Sequence, residues 1–486
     1  MYRQNKQFTI NDFKLPFEGK LSSENRWVRM AEETPWDEIE KRYASLFTSE
    51  LGNVAKPARM AVGALIIKVK CGYSDRETVQ QISENPYMQY FIGLKEFKPE
   101  RPFNPSLMSY FRKRLNFETM QDINELICKG KDNDEEPPSE APPSSNEGHN
   151  QDNSASGNSG TLLIDGTCAP ADIRYPTDLS LLNEGREKLE GLIDFLHQSF
   201  KGKTKKPRTY RQKAREQYLA ISKKRNPGKK QLRRALRQQL GYIQRDLKHI
   251  DRYLKKFESN PLDDKQQEQL EVIQELYYQQ KYMYDHKKNS VPNRIVSISQ
   301  PHVRPIVRGK AGAPTEFGAK ISVSLVNGYT FIDKLDWNNF NEGTSLISSV
   351  EKYYHRYGFY PKEVLVDAIY RTRENIRYCK DRGIRLSGPR LGRPPASSES
   401  DKKQQRQDAK DRNAIEGKLG IGKRRYGLAR IMARLQETSE TVIALQFLVM
   451  NLEHRLRILL SFFTRHLFWV FKERFFGVIT PASNKL

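Results

Sequence analysis

Thr161-Leu-Leu-Ile-Asp165 is an apolar run that ends in a carboxylate, and it predicts a short buried strand with the acid at its exit. Val364-Leu-Val-Asp367 repeats this pattern two hundred residues later in the chain. A third acid closes Arg412-Asn-Ala-Ile-Glu416, in a stretch that predicts a helix. If the two strands are neighbours in one sheet, both Asp carboxylates leave that sheet side by side, and the helix can add the Glu.

The elements around these segments predict an α/β fold with a mixed sheet. Residues 321–326 and 329–335 alternate as strands around Asn327-Gly328, which is the preferred two-residue hairpin turn. Helices are expected at about 342–357 and 371–382, with a short strand at 384–387 between the second helix and a long final helical region. Strands that alternate with helices after an antiparallel hairpin indicate a mixed sheet with helices packed on it.

The rest of the chain predicts three further kinds of region. An all-α N-terminal domain is expected first, and its helices around Gly72 fit either a helix-turn-helix or an ordinary small bundle. A Ser-, Asn- and Gly-rich stretch predicts a disordered linker. The proposed boundaries are 1–128 for the helical N-terminal domain, 129–160 for the linker, 161–183 and 291–440 for the sheet core, 184–290 for a basic helical hairpin, and 441–486 for a C-terminal helical segment.

The inserted region follows the first core strand and has a coiled-coil-like pattern. Apolar residues recur at steps of three and four from Leu232 to Leu254. Asn260-Pro261 interrupts this pattern, and a second helix follows. The insertion is interpreted as a subdomain that touches DNA, while a dimer contact and a solvated hairpin remain alternatives.

The charge of the chain points to a polyanionic partner. Its 83 Lys and Arg outnumber its 59 Asp and Glu, for a formal charge of +24, which favours nucleic acid or an anionic membrane surface. The membrane alternative is disfavoured because charged residues interrupt the apolar stretch 441–476 and no signal-peptide core follows Met1. The four cysteines form no CxxC pair, so a reduced, cytoplasmic protein without zinc is expected.

Three acids brought together on a basic chain predict phosphoryl-transfer chemistry. Two metal ions can flank a scissile phosphodiester when carboxylates hold them, one activating the nucleophile and the other stabilising the leaving oxygen. Hard oxygen ligands select Mg²⁺, with Mn²⁺ as a substitute. Arg412 and Lys423 share the helix face of Glu416 and suit a phosphate-rich substrate. The glycines at 417, 420 and 422 weaken this helix or let a DNA backbone approach it.

These segments resemble the DDE transposases of bacterial insertion sequences, specifically the insertion-sequence-five type, which have a ribonuclease H-like core. The likeness covers most of the chain outside 129–160. Its motifs are Asp165-Gly-Thr with 172–186, Val366-Asp-Ala-Ile-Tyr-Arg-Thr-Arg-Glu-Asn375, Arg412 through Leu428, Val303 through Lys320, and Phe103-Asn-Pro-Ser-Leu-Met-Ser-Tyr-Phe-Arg-Lys-Arg-Leu115.

The resemblance implies the fold, the site and the activity. Asp165, Asp367 and Glu416 match the metal-binding catalytic triad, and Arg412 and Lys423 match the basic members of the family's Tyr-Arg-Glu-Lys signature. The Tyr of that signature is replaced by Ala409. The implied enzyme binds terminal inverted repeats, cleaves each end and joins it to target DNA with two Mg²⁺ ions. It is expected to act as a homodimer on the bacterial nucleoid.

Two weaker alternatives share these residues: a DNA-binding protein of transposase descent that does not cut, and a ribonuclease H-like nuclease without strand transfer. For the transposase and for both alternatives, basic side chains are expected to contact DNA phosphates. The candidate DNA contacts are Arg304, Arg308, Lys310, Arg373, Arg390, Arg393, Arg412, Lys423, Arg424 and Arg425.

Overall fold

The structure of the protein is a computed structural model that describes residues 2, 7, 9–15, 19–48, 53–129, 157–307, 315–389, 391–392 and 399–476. Most of the linker expected at 129–160 lies outside these residues, as do four of the candidate phosphate contacts: Arg308, Lys310, Arg390 and Arg393. Within the described ranges, none of the helices combines the length and the apolarity that crossing a bilayer requires.

The first part of the chain is helical, as predicted. Gly72, in the left-handed conformation at φ 72°, ends the third helix, and the Ser74 hydroxyl caps the fourth by accepting from Glu77 N at 3.2 Å. The helices are α1 (Arg26–Glu33), α2 (Trp36–Ala44), α3 (Ala58–Cys71), α4 (Asp75–Glu84), α5 (Pro86–Phe91), α6 (Leu107–Arg114) and α7 (Phe117–Lys129).

A mixed sheet forms the centre of the molecule. Its strands are β1 (Thr161–Pro170), β2 (Arg304–Val307), β3 (Thr315–Val326), β4 (Tyr329–Asp336), β5 (Glu363–Leu365) and β6 (Arg385–Leu386). The central strand β1 pairs antiparallel with β3 and parallel with β5, and β5 pairs parallel with β6. Both β2 and β4 pair antiparallel with the other edge of β3. The predicted mixed α/β architecture is therefore confirmed.

The predicted Asn-Gly hairpin joins β3 and β4. Asn327 has φ 49° and Gly328 has φ 82°, which is the left-handed backbone that a tight two-residue turn requires at both positions. The pairing of Val326 with Tyr329 closes the hairpin, so the turn chemistry in the sequence set the alignment of these two strands.

The insertion after β1 is larger than the predicted hairpin. It consists of α8 (Asp178–Gln198), α9 (Arg211–Ser222), α10 (Lys229–Leu254) and α11 (Asp264–His286). The apolar stripe of α10 packs against α8 and α11 in a core of its own, which contains Leu240, Ile243 and Ile250. The part of the stripe from Leu240 to Ile250 is therefore covered within the chain, whereas Leu232 at its start is exposed. The prediction that the insertion touches DNA stays a prediction.

Four helices cover the two faces of the sheet. They are α12 (Leu346–Tyr357), α13 (Arg373–Asp381), α14 (Glu399–Arg425) and α15 (Gln436–Phe476). Apolar residues of α12 and α13 pack with Leu162 and Ile164 on one face of β1. Those of α14 and α15 share a cluster with Leu163 on the other face.

The N-terminal helices share the core of the sheet through α15. One hydrophobic cluster contains buried residues of α1–α7, of β3 and of the segment 443–450. The boundary at residue 128 therefore separates two regions of sequence but not two hydrophobic cores.

Asn451 of α15 is the polar centre of this contact. Its side-chain oxygen accepts from Thr330 N at 2.8 Å, and its amide donates to Thr330 O at 2.7 Å and to Asn124 Oδ1 at 2.8 Å. One buried side chain thus joins α15, the β3–β4 hairpin and α7.

Replacing Asn451 with Leu should destabilise the whole molecule, because it leaves the buried Thr330 and Asn124 groups without partners. We expect a loss of about 2–4 kcal/mol in the free energy of unfolding, measured by urea denaturation. Asn289→Leu is the matched control, since Asn289 is exposed, and should change stability by less than about 0.5 kcal/mol. Equal effects of the two substitutions would contradict the role given to Asn451.

Candidate active site

The register of β1 and β5 places two of the predicted acids side by side. Leu163 lies opposite Leu365 in this parallel pair. Asp165 and Asp367 each follow two residues later, so they occupy equivalent positions on neighbouring strands. Asp367 lies just beyond the end of β5, as predicted.

Asp165 does not end its strand, contrary to the prediction. β1 continues to Pro170 because its second half pairs with β3, with Asp165 opposite Val323 and Pro170 opposite Gly318. The apolar run at 161–164 marks mainly the part of β1 that pairs with β5, at residues 161–163. Asp165 therefore sits in the middle of a long strand, at the point where β5 stops.

An ion-pair network holds α14 against the sheet edge. Arg385 of β6 donates to Asp408 of α14 at 2.8 and 2.9 Å and to Glu363 of β5 at 3.0 Å. Side chains of Ile415 and Leu419 anchor the next turns in the core. Neither Arg385 nor Asp408 was singled out from the sequence, since their pairing depends on the approach of distant segments.

Arg412 then joins the helix to the acids. Its guanidinium forms an ion pair with Asp367 and donates to Glu416 Oε1 at 3.2 Å. The side chains of Asp367 and Glu416 are about half exposed, at 51% and 53%. The predicted helical face thus brings Arg412 and Glu416 to Asp367, with the cation between the two carboxylates.

Asp165 is the most electrostatically strained of the three acids. Burial, followed by the negative charges of Asp367, Glu342 and Glu416, raises the pKa of Asp165 to about 6, although a hydrogen bond from Gly166 N at 2.8 Å opposes this shift. The pKa of Asp165 is sensitive to all three carboxylates, which shows that they share one electrostatic environment.

Glu342 is an acid of this environment that the sequence analysis missed. It lies against Gly166, where a Cβ atom would overlap its carboxylate, and its Oε1 is 3.0 Å from Lys320 Nζ. Gly166, next to Asp165, is the one local sign that another side chain approaches here, because a glycine at this position leaves space for it. Nothing near Glu342 in the sequence marks it as part of the site.

The donor chemistry of these acids fits a divalent cation. Their oxygens are hard ligands of the kind that Mg²⁺ and Mn²⁺ prefer. As they are placed in the described part of the chain, however, no three acidic, His or Cys side chains converge closely enough to hold a metal ion. Arg412 occupies the space between two of them.

The predicted basic residues have different surroundings. Arg424, Arg425 and Arg373 are exposed. Lys423 Nζ is 3.9 Å from Glu316. Arg304 donates to the Val303 carbonyl at 3.0 Å and to that of Pro301, so its guanidinium is directed partly into the backbone.

Two features of α14 concern Ala409 and the three glycines of this helix. A cavity of about 190 Å³ lies at Ala409, lined by Val366, Pro389 and Arg412 among others. The helix continues through all three of its glycines. A Cβ at Gly422 would lie 3.0 Å from Met450 Sδ, so this glycine serves the contact between α14 and α15.

Two family models match the chain, and both describe transposases. The model described as "Transposase DDE domain" matches residues 364–453, which include Asp367, Arg412 and Glu416. The model described as "Transposase domain (DUF772)" matches residues 15–114. Both are typical of insertion-sequence transposases of the IS4 and IS5 types. The resemblance predicted from the sequence is therefore confirmed.

A curated relative supports the similarity without adding a function. The chain is 32% identical over 96 residues to "Uncharacterized protein ORF8 in nfe locus" of Rhizobium meliloti. The aligned segment covers 20% of this chain and 46% of the relative, so the chain spans less than half of the relative's length. No solved structure matches the chain.

Asp165→Asn should stabilise the metal-free protein at neutral pH. Folding raises the pKa of the Asp165 carboxyl from 3.8 to about 6, so the folded protein loses stability as the pH rises through this interval. Asn does not ionise, so the substitution removes this loss. In EDTA at pH 7.5 we expect a gain on the order of 1–2 kcal/mol, which shrinks towards pH 4.5.

Thermal and urea unfolding at both pH values measure this difference. Glu258→Gln, at an exposed loop position, is the control and should show no such pH dependence. A variant that is less stable than the wild type at pH 7.5 would show that Asp165 is not under repulsion.

Proposed function

We propose that this chain is a transposase that binds the terminal inverted repeats of an insertion sequence. It catalyses metal-dependent cleavage of the DNA ends and their transfer to target DNA, acting as a homodimer on the bacterial nucleoid. The observation that carries the proposal is the parallel register of β1 and β5, which puts Asp165 beside Asp367 while α14 delivers Glu416 to the same edge. The sheet would be a ribonuclease H-like core.

Asp165, Asp367 and Glu416 would hold two Mg²⁺ ions, for which Mn²⁺ can substitute. When bound, these ions supply activation of a water or a 3′-hydroxyl and stabilisation of the leaving oxygen at the scissile phosphate. Glu342 lies close enough to Asp165 to raise its pKa, so it adds to the negative field that attracts the cations. Lys320 offsets part of the Glu342 charge from the other side.

Arg412 balances the two exposed carboxylates when DNA is absent. A guanidinium between Asp367 and Glu416 reduces their mutual repulsion and holds their orientation. Phosphate is the other natural partner of this planar donor group, so Arg412 can exchange the acids for a DNA phosphate. Arg373, Lys423 and Arg424 surround this edge as further phosphate contacts.

Removing Arg412 should tighten the binding of Mn²⁺ to the DNA-free protein. An exposed ion pair contributes up to about 1 kcal/mol, so Arg412→Gln should raise the affinity by roughly five-fold. Electron paramagnetic resonance titration of free Mn²⁺ measures the affinity. Arg373→Gln, at an exposed residue near the same sheet edge, is the control and should leave it within two-fold. Weaker Mn²⁺ binding by Arg412→Gln would mean that Arg412 orients the ligands instead of competing for them.

Purified protein incubated with labelled end-sequence DNA and Mg²⁺ should nick at the element boundary and form joined products. Asp165→Ala, Asp367→Asn and Glu416→Gln should each reduce nicking by at least about 100-fold, while Asp381→Asn, an exposed carboxylate of α13, should nick at the wild-type rate. A triad variant that nicks normally would refute the assignment of that residue.

The same assay separates the alternative functions. Cleavage without joined products would identify a nuclease. Tight, end-specific binding without cleavage would identify a DNA-binding protein that does not cut.

A further inference from the structure

A groove of about 740 Å³ lies beyond the three acids, where the N-terminal helices meet the end of α14 and the start of α15. Residues of α3, α4 and α6 form one wall, and the segment 425–446 forms the other. Its lining residues include Tyr110, Lys113, Arg425, Met432, Arg434, Leu435 and Gln446.

The groove is connected to the candidate active site by two elements. Helix α14 carries Glu416 and ends at Arg425, roughly 14 Å further along the helix axis. Ile431, a buried residue between the groove-lining Arg430 and Met432, is bonded to the far end of β1, through Ile431 N to Pro170 O at 2.8 Å and Asp172 N to Ile431 O at 3.0 Å. The strand that bears Asp165 therefore also supports the groove, and a DNA strand of two to three nucleotides can span the distance.

The charge of the groove is positive. Lys113, Arg425 and Arg434 are exposed, and none of them has an acidic partner among the residues that the structure describes. Arg112 and Lys68 share a single acid, Asp75, at 2.7 and 2.9 Å. This excess of cations fits a polyanion.

Large apolar side chains are exposed among these cations. Tyr110 is 67% exposed, and Met432 and Leu435 are each 64% exposed. The phosphates of a DNA duplex would satisfy the cations, but its stacked bases would offer nothing to these side chains. An unpaired nucleotide presents a flat apolar base together with its phosphate, and bases of this kind stack on aromatic and apolar side chains.

Gln446 supplies a polar group at the base of the groove. Its side chain is only 4% exposed, and its Oε1 accepts no hydrogen bond within the described structure. A buried acceptor without a partner is unfavourable, so this oxygen is a suitable receptor for a donor from a ligand. The exocyclic amino group of adenine or cytosine is such a donor.

We propose that this groove binds an unpaired segment of DNA strand adjacent to the catalytic edge. Arg425, Arg434 and Lys113 contact its phosphates, Tyr110, Met432 and Leu435 contact its bases, and Gln446 Oε1 accepts from a base amino group. The inference rests on the proposed DNA-binding function and names a second site for it.

Fluorescence anisotropy in EDTA tests this site without catalysis, using a blunt duplex, the same duplex with a short single-stranded overhang, and a single strand. Tyr110→Ala and Leu435→Ala should weaken binding of the two probes with unpaired bases by at least about five-fold, the low end of base stacking. Binding of the blunt duplex should change by less than two-fold. Tyr354→Ala on α12 and Val54→Ala before α3, both at exposed positions outside the groove and the insertion, are the controls and should leave all three affinities unchanged.

A second variant tests the polar contact. Gln446→Met removes the acceptor with little change in volume, so the loss of affinity should be larger for oligo-dA or oligo-dC than for oligo-dT, which has no amino group. An equal loss on all three homopolymers would overturn the role of Gln446, and melting curves show whether the variant is folded.

The remaining outcomes each decide the proposal. Equal weakening on blunt and overhanging probes would show a surface for duplex DNA, and unchanged affinities would show that the groove binds no DNA. Polyglutamate that displaces the single strand at equal charge concentration would show a site for an acidic polypeptide. Wild-type protein that binds the blunt duplex without preferring the overhang overturns this inference alone, whereas wild-type protein that binds no probe overturns the proposed function as well.

Discussion

The pairing of β1 with both β3 and β5 is the constraint on which the rest of the structure depends. The parallel pair with β5 aligns Leu163 with Leu365, and this alignment alone puts Asp165 next to Asp367. The antiparallel pair with β3 extends β1 to Pro170 and supports the segment around Ile431. A slip of one residue in either pair would turn every side chain of β1 to the opposite face and separate the acids from α14.

The concentration of carboxylates at this edge has a cost that the surrounding structure offsets. Burial raises the pKa of Asp165, and the neighbouring like charges, which also disfavour ionisation, raise it further. Two cations reduce this repulsion: Arg412 lies between Asp367 and Glu416, and Lys320 lies beside Glu342. Arg385 keeps α14 in place because it forms ion pairs with Asp408 of α14 and with Glu363 of β5. This concentration of negative charge thus depends on a set of ion pairs outside the three acids.

The long helix α15 links this edge to the N-terminal helices. Its buried residues share a cluster with α3 and α7, and Asn451 satisfies polar groups of the hairpin and of α7 at once. The N-terminal helices are therefore held at a defined position relative to the sheet edge at which the three acids lie. The groove between them and α14 is a consequence of this packing, since it exists only where the two surfaces meet.

Features of the site that arise from local patterns were predictable, and those that arise from distant contacts were not. The apolar runs before Asp165 and Asp367 predicted two strands, and the spacing of Arg412 and Glu416 predicted their common helix face. Glu342 escaped prediction because its place beside Gly166 follows from the packing of a distant turn. The end of β1 was misplaced for a similar reason, since alternation in residues 166–170 is hidden when both faces of a strand are buried.

The sequence by itself determined the elements: the acid-bearing strands, the Asn-Gly hairpin, the helical insertion and the transposase motifs. Each of these is written in residues that are close together in the chain, where backbone preference and hydrophobic periodicity act. Only the tertiary structure decided that Arg412 lies between two acids, that Glu342 joins them, and that a basic groove runs beside Gln446. These features depend on which distant surfaces come into contact, and that is set by strand register and helix packing.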